Sequence, residues 1–173
     1  RPPRAEGAPL FRLRQPAAAP ETPMDNTPTH VIQRNISRHA AQRLASAALD
    51  EAERLGIHVN AAVVDRHGTL MAFLRMPEAS LFSSQTAMDK AYSAASARMP
   101  TSQWTDALAP YPPLIQHNIL QRPRLVVFGG GFPVEADGEV IGAIGVSGGS
   151  VEEDEQCAEA GLAALAARGS AGE

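Results

Sequence analysis

The apolar positions of this chain change their spacing several times, and each change marks an element. From Ser37 onward, Leu44, Ala48, Leu49, Ala52 and Leu55 recur near every third or fourth residue. That period predicts an amphipathic helix, with Ile36 as a staple before it and Gly56 as its stop. Residues 58–65 are a short, branched apolar run, which predicts a strand. Asp65-Arg66-His67-Gly68 then predicts a turn, and residues 69–75 its antiparallel partner. Residues 80–98 return to helical spacing. Ala87, Ala91, Ala94 and Ala95 give that helix a narrow face of small residues that can lie close against a sheet.

Pro100 ends this helix, and Thr101 is the expected N-cap of a short one carrying Trp104 and Leu108. Pro110, Pro112 and Pro113 predict a loop. Residues 124–128 predict a third strand, and a fourth and fifth flank Asp137-Gly138, a strong hairpin signal. A last helix is expected from Ser150 to about Arg168. Connections this short pair strands antiparallel. The predicted class is therefore α+β, with a central antiparallel sheet of about five strands and helices packed on it.

Composition narrows the partners. The 173 residues suit one folded domain, 44% are hydrophobic and only 5% aromatic, so the core is built from Ala, Val, Leu and Ile. Net charge is −4 with no basic stripe, which argues against nucleic acid. No apolar run approaches the length of a membrane span. Residues 1–28 hold seven of the fourteen prolines and four arginines without an apolar period. They read as a Pro/Arg-rich arm preceding a domain at 29–173. The arm is expected to lie on a neighbouring subunit of a homo-oligomer. A cytoplasmic location is slightly favoured, and export behind a cleaved leader stays open because the first residue is Arg1 rather than Met.

The glycines carry the candidate chemistry. Gly142, Gly145 and Gly148 are spaced GxxGxxG inside and after a hairpin strand, which excludes the dinucleotide fingerprint, and no lysine follows to make a phosphate loop. The five histidines are scattered, so no metal site is expected. Cys157 lies in a helical pattern and reads as a small hydrophobe. Gly148-Gly149-Ser150 opens a helix whose free N–H groups could hold an anion. Ser150 and Glu153 also fit a self-sufficient capping box. Lys90 borders the alanine face, either as a surface charge or as a buried group of lowered pKa. Arg75 closes the second strand, where it pairs with a carboxylate or faces water.

In combination, these residues resemble the GlcG/HbpS family, which includes the C-terminal domain of PduO-type proteins. The resemblance rests on Ala61-Ala62-Val63-Val64-Asp65 with Gly68, Arg75-Met76, Ala87 with Lys90-Ala91, Gly130-Gly131-Phe132-Pro133, and residues 142–149 with Asp154-Glu155. It spans about residues 36–168. It implies a profilin-like sandwich, oligomers, and in some members haem or corrinoid-related roles. Residues 99–123, with Trp104 and the proline cluster, depart from the family pattern and are expected to border the pocket.

Two functions follow, and a blander third. The first is a small-molecule binding protein for haem or a related tetrapyrrole, with a pocket near Lys90, Gly130, Gly131, Phe132, Pro133, Ser147, Gly148 and Gly149. The low aromatic content argues mildly against it, because such pockets need broad apolar walls. The second is a cofactor-independent isomerase, hydratase or lyase on a small organic acid. There Lys90 is the acid/base, Asp154 orients it, Arg75 holds the carboxylate and the Gly148-Gly149 N–H groups stabilise an oxyanion. The third is an accessory subunit in which the glycines serve packing alone.

Overall fold

Ser37 caps the first helix as its sequence context predicts: its hydroxyl accepts from the N–H of Ala40 at 3.2 Å. In this computed structural model, which describes residues 29–167, that helix is α1, Arg38–Leu55, closed by Gly56 in the left-handed region. The chain divides into two units, Arg1–Ile32 and Gln33–Glu173. Of the first, residues 29–32 are described and hold no helix or strand. The arm expected over residues 1–28 lies outside the described residues.

After α1 come β1 (Asn60–Asp65), β2 (Leu70–Arg75) and α2 (Leu81–Ala97). A 3-10 turn, Thr101–Gln103, leads into α3 (Trp104–Leu108), then α4 (Pro113–Leu120), β3 (Gly131–Ala136), β4 (Glu139–Ser147) and α5 (Val151–Ala166). The sheet runs β2-β1-β4-β3, with every neighbouring pair antiparallel. The helices α1 and α5 cover one face. Leu44, Ala48 and Cys157 pack there against Val63, Ile144 and Val146. The alanine stripe of α2 covers the other face, over Ala62, Val64 and Ala143. The class is α+β, as expected.

The sheet has four strands, not about five. The expected third strand at residues 124–128 is an irregular segment. Its backbone is bound to a side chain of α2: Ser93 Oγ accepts from the N–H of Val126 at 2.9 Å and donates to the carbonyl of Arg124 at 2.8 Å. Arg124 also takes a positive φ of 65°, which interrupts an extended run. Two smaller corrections follow from the same region. Thr101 lies inside the 3-10 turn rather than capping it, and its hydroxyl accepts from the N–H of Gly131 at 3.0 Å. The stretch after Pro112 forms α4, because Pro113 stands at the first helical position, where its missing N–H costs nothing.

Candidate functional site

Gly145 decides how near α2 can come to the sheet. A Cβ there would stand 2.2 Å from the carbonyl oxygen of Ala87 and 2.4 Å from the nitrogen of Ala91. Opposite it in the ladder is Gly131, where a Cβ would meet the carbonyl oxygen of Lys90 at 2.7 Å. With side chains removed from both strands, the Ala87–Ala91 turn of α2 rests on bare backbone. This seating carries Lys90 fully into the interior.

The Lys90 ammonium is surrounded by acceptors. Its Nζ donates to Asp154 Oδ2 at 2.7 Å and to the carbonyl of Val146 at 2.9 Å. The Phe128 ring lies over it, with its centroid 5.0 Å away. Asp154, itself buried, accepts from the N–H of Gly149 through Oδ1 at 3.0 Å. Gly130 passes beneath at a φ of +105°, and a Cβ there would come within 2.7 Å of Lys90 Nζ. Burial pulls the Lys90 ammonium below its ordinary pKa and lifts the Asp154 carboxyl above its own. Their mutual attraction opposes both shifts.

The structure thus gathers Lys90, Asp154, Gly130 and Gly149 around one ion pair. Ser147 is buried in the ladder opposite Asn60, and Asn60 pairs on its other side with Arg75, so these three form one row across the sheet. The Arg75 guanidinium donates to the carbonyl of Ala79 at 2.6 Å. Gly148 is exposed beside the capped helix start, where Ser150 and Glu153 form the full capping box. Phe132 packs against the α1/α5 core. Pro133 lines a separate groove of about 690 Å³ with Ser37, Ile141, Leu162 and Leu165.

An open apolar cleft of about 500 Å³ lies between α2, α3, α4 and the irregular segment after α4. Tyr92, Trp104, Ile119 and Leu125 wall it, and Arg122 and Arg124 also line it. The Arg124 guanidinium stacks 3.9 Å from the Tyr92 ring centroid and donates to Asp89 at 2.8 Å. The Arg122 guanidinium has no hydrogen-bond or ion-pair partner among the described residues. Trp104 Nε1–H is buried without an acceptor. Sequence reasoning placed residues 99–123 beside a pocket but did not single out Tyr92, Arg122 or Arg124. The Arg-Pro-Arg triplet at 122–124, after an apolar helix, was the available signal.

Among the described residues no group of His, Cys, Asp and Glu is placed to hold a metal ion, and no helix is long and apolar enough to cross a membrane. Cys157 is fully buried, and burial, followed by the nearby Asp154 charge, pushes its thiol up to about 12. An aromatic disulfide reagent is therefore expected to leave Cys157 unlabelled in the folded protein and to react at the rate of unfolding. Fast labelling under native conditions would contradict this burial.

These features define a small α+β protein with an antiparallel sheet between helical layers and a ligand-sized cleft beside α2. A family model described as haem degrading protein HbpS-like matches residues 36–163, and the chain belongs to this family. It is 39% identical over 127 residues to an uncharacterised 15.0 kDa protein of Citrobacter freundii, covering 73% of this chain and 89% of that one. The crystal structure of Klebsiella pneumoniae protein ORFY superposes with a TM-score of 0.75 at 35% identity, covering 82% of this chain and 98% of that one. The crystal structure of a PduOC–haem complex superposes with a TM-score of 0.69 at 37% identity, covering 75% of this chain and 94% of the other.

Proposed function

We propose that this protein binds haem or a related tetrapyrrole in the cleft between α2, α3 and α4. The carrying observation is the haem complex of a relative that shares the fold and 37% of aligned residues. The cleft residues fit such a group. Its volume of about 500 Å³ lies in the range of small-molecule sites, and its walls are mainly apolar and aromatic. Tyr92 and Trp104 offer ring faces, Ile119 and Leu125 offer aliphatic contact, and Arg122 offers a guanidinium group for a propionate. Haem, when bound, supplies the redox and oxygen chemistry, while these side chains bind the ring and limit its contact with water.

The enzyme reading needs Lys90 and the Gly149 N–H free to meet a substrate. Lys90 is fully buried and bonded to Asp154 and Val146, and the Gly149 N–H is held by Asp154. No observation favours that reading over the binding protein.

Titrating the purified protein with haem is expected to give a sharp Soret band that saturates near one haem per chain. Ile119→Asp, which sets a carboxylate against the propionate-bearing ring, is expected to weaken binding about tenfold or more. A broad band that never saturates, or an Ile119→Asp protein that binds as wild type does, would sink the proposal.

A further inference from the structure

Resting on the reading above, we infer that the cleft selects tetrapyrroles by their carboxylates, with Arg122 and the Trp104 indole N–H as the selecting donors. The ligand class is then a planar macrocycle carrying free acid side chains, not one whose acids are amidated or esterified.

The polar groups of the cleft divide into those already satisfied and those that are not. Arg124 is already engaged, stacked on Tyr92 and bonded to Asp89, so its charge is largely committed to the wall. Arg122, two residues earlier, is exposed and its guanidinium has no hydrogen-bond or ion-pair partner among the described residues. Its backbone is fixed at the end of α4 by the bond from its N–H to the carbonyl of Ile119 at 3.0 Å. Its side chain lines the cleft and carries a fork of N–H donors that suits a planar anion. Trp104, also on the cleft wall, carries the second donor, which a rotation of the indole must bring to the ligand because Nε1 has no open surface of its own. Its Nε1 is the one buried side-chain nitrogen or oxygen among the described residues with no hydrogen-bond partner. Buried donors are nearly always paired, and an indole N–H can only donate, so the group that completes it must bring an acceptor.

An acid and its ester differ mainly in charge. An amide or ester carbonyl can accept from the indole, but only a carboxylate also gains the ionic, bidentate contact to a guanidinium. A site of two such donors in an apolar cleft discriminates against the neutral form, because Arg122 then sheds water without gaining a charge.

The test compares deuteroporphyrin with its dimethyl ester, each titrated into the full chain and read by porphyrin absorbance and fluorescence. The acid is expected to bind about tenfold tighter than the ester. In Arg122→Gln, an exposed change that should leave folding intact, this ratio is expected to fall towards one. Trp104→Phe keeps an aromatic wall without the N–H and is expected to lower the ratio as well. Equal affinity for acid and ester in the wild-type protein overturns the inference, and so does a ratio that survives in either variant. Those results would leave tetrapyrrole binding itself standing. Failure of both porphyrins and haem to bind removes the broader reading together with this one.

Discussion

Asp154→Ala is expected to cost about 3–5 kcal/mol of folding free energy. The reason lies in what stays behind. Lys90 is completely buried, and among the described residues Asp154 is its only carboxylate partner within salt-bridge distance. Without that carboxylate, the ammonium keeps only the Val146 carbonyl and the Phe128 ring. The Gly149 N–H at the start of α5 loses its acceptor as well. A neutral lysine is the cheapest escape, so the variant should also gain stability as the pH rises. The sign follows from the proton balance. Burial places the folded-state pKa of Lys90 below its unfolded value. Between those two values the unfolded chain binds more protons, so raising the pH favours the folded state. Removing Asp154 deletes the attraction that opposes this shift, which widens the window downward. Urea melts of the variant at pH 7 and pH 9 measure this. The double change Lys90→Met with Asp154→Leu is expected to recover most of the loss, since neither charge then remains buried. If Asp154→Ala melts within about 1 kcal/mol of wild type, the Lys90 ammonium does not depend on Asp154 for its buried position.

Gly145→Ala is expected to cost about 3 kcal/mol or more, although it adds a single methyl group. The atoms a Cβ would meet at 2.2 and 2.4 Å both belong to the backbone of α2, so no rotamer change relieves the clash. The helix has to move off the sheet, and Lys90 moves with it, away from Asp154 and Val146. Gly56→Ala is the proper comparison. That glycine also lacks a side chain, but nothing lies within 4 Å of a Cβ there, and only its left-handed φ of 72° is strained. About 1 kcal/mol is expected for that change. Similar losses at the two positions would mean that α2 seats with more tolerance than the contact distances imply.

Much of the fold was legible because local rules and tertiary demands agree. Ser37, Gly56, Ser150 with Glu153 and Asp137-Gly138 mark element ends by short-range hydrogen bonds and φ preferences, and each stands where its local signal pointed. The failures have a common origin in groups distant along the chain. Residues 124–128 have strand composition, yet Ser93 of α2 takes the hydrogen bonds that a neighbouring strand would have supplied. Pro113 reads as a loop residue in a proline cluster and is instead the first residue of a helix.

The candidate site divides in the same way. Lys90, Gly130 and Asp154 could be named from sequence, but a lysine beside an alanine face is equally consistent with a solvated charge. The cleft joins Tyr92 and Trp104 to Ile119, Arg122 and Leu125 across a loop and a helix, and periodicity holds no information about that closure. By itself, then, the sequence determined the element ends, the antiparallel pairing and the family, all of which depend on neighbours in the chain or on the order of short motifs. Only the tertiary structure decided that Lys90 is buried against Asp154 and that a cleft opens beside Trp104. The first depends on how closely α2 approaches the sheet over Gly131 and Gly145, a distance set by backbone contacts between residues more than forty positions apart in sequence, and the second on how the segment from Trp104 to Leu125 folds back onto α2.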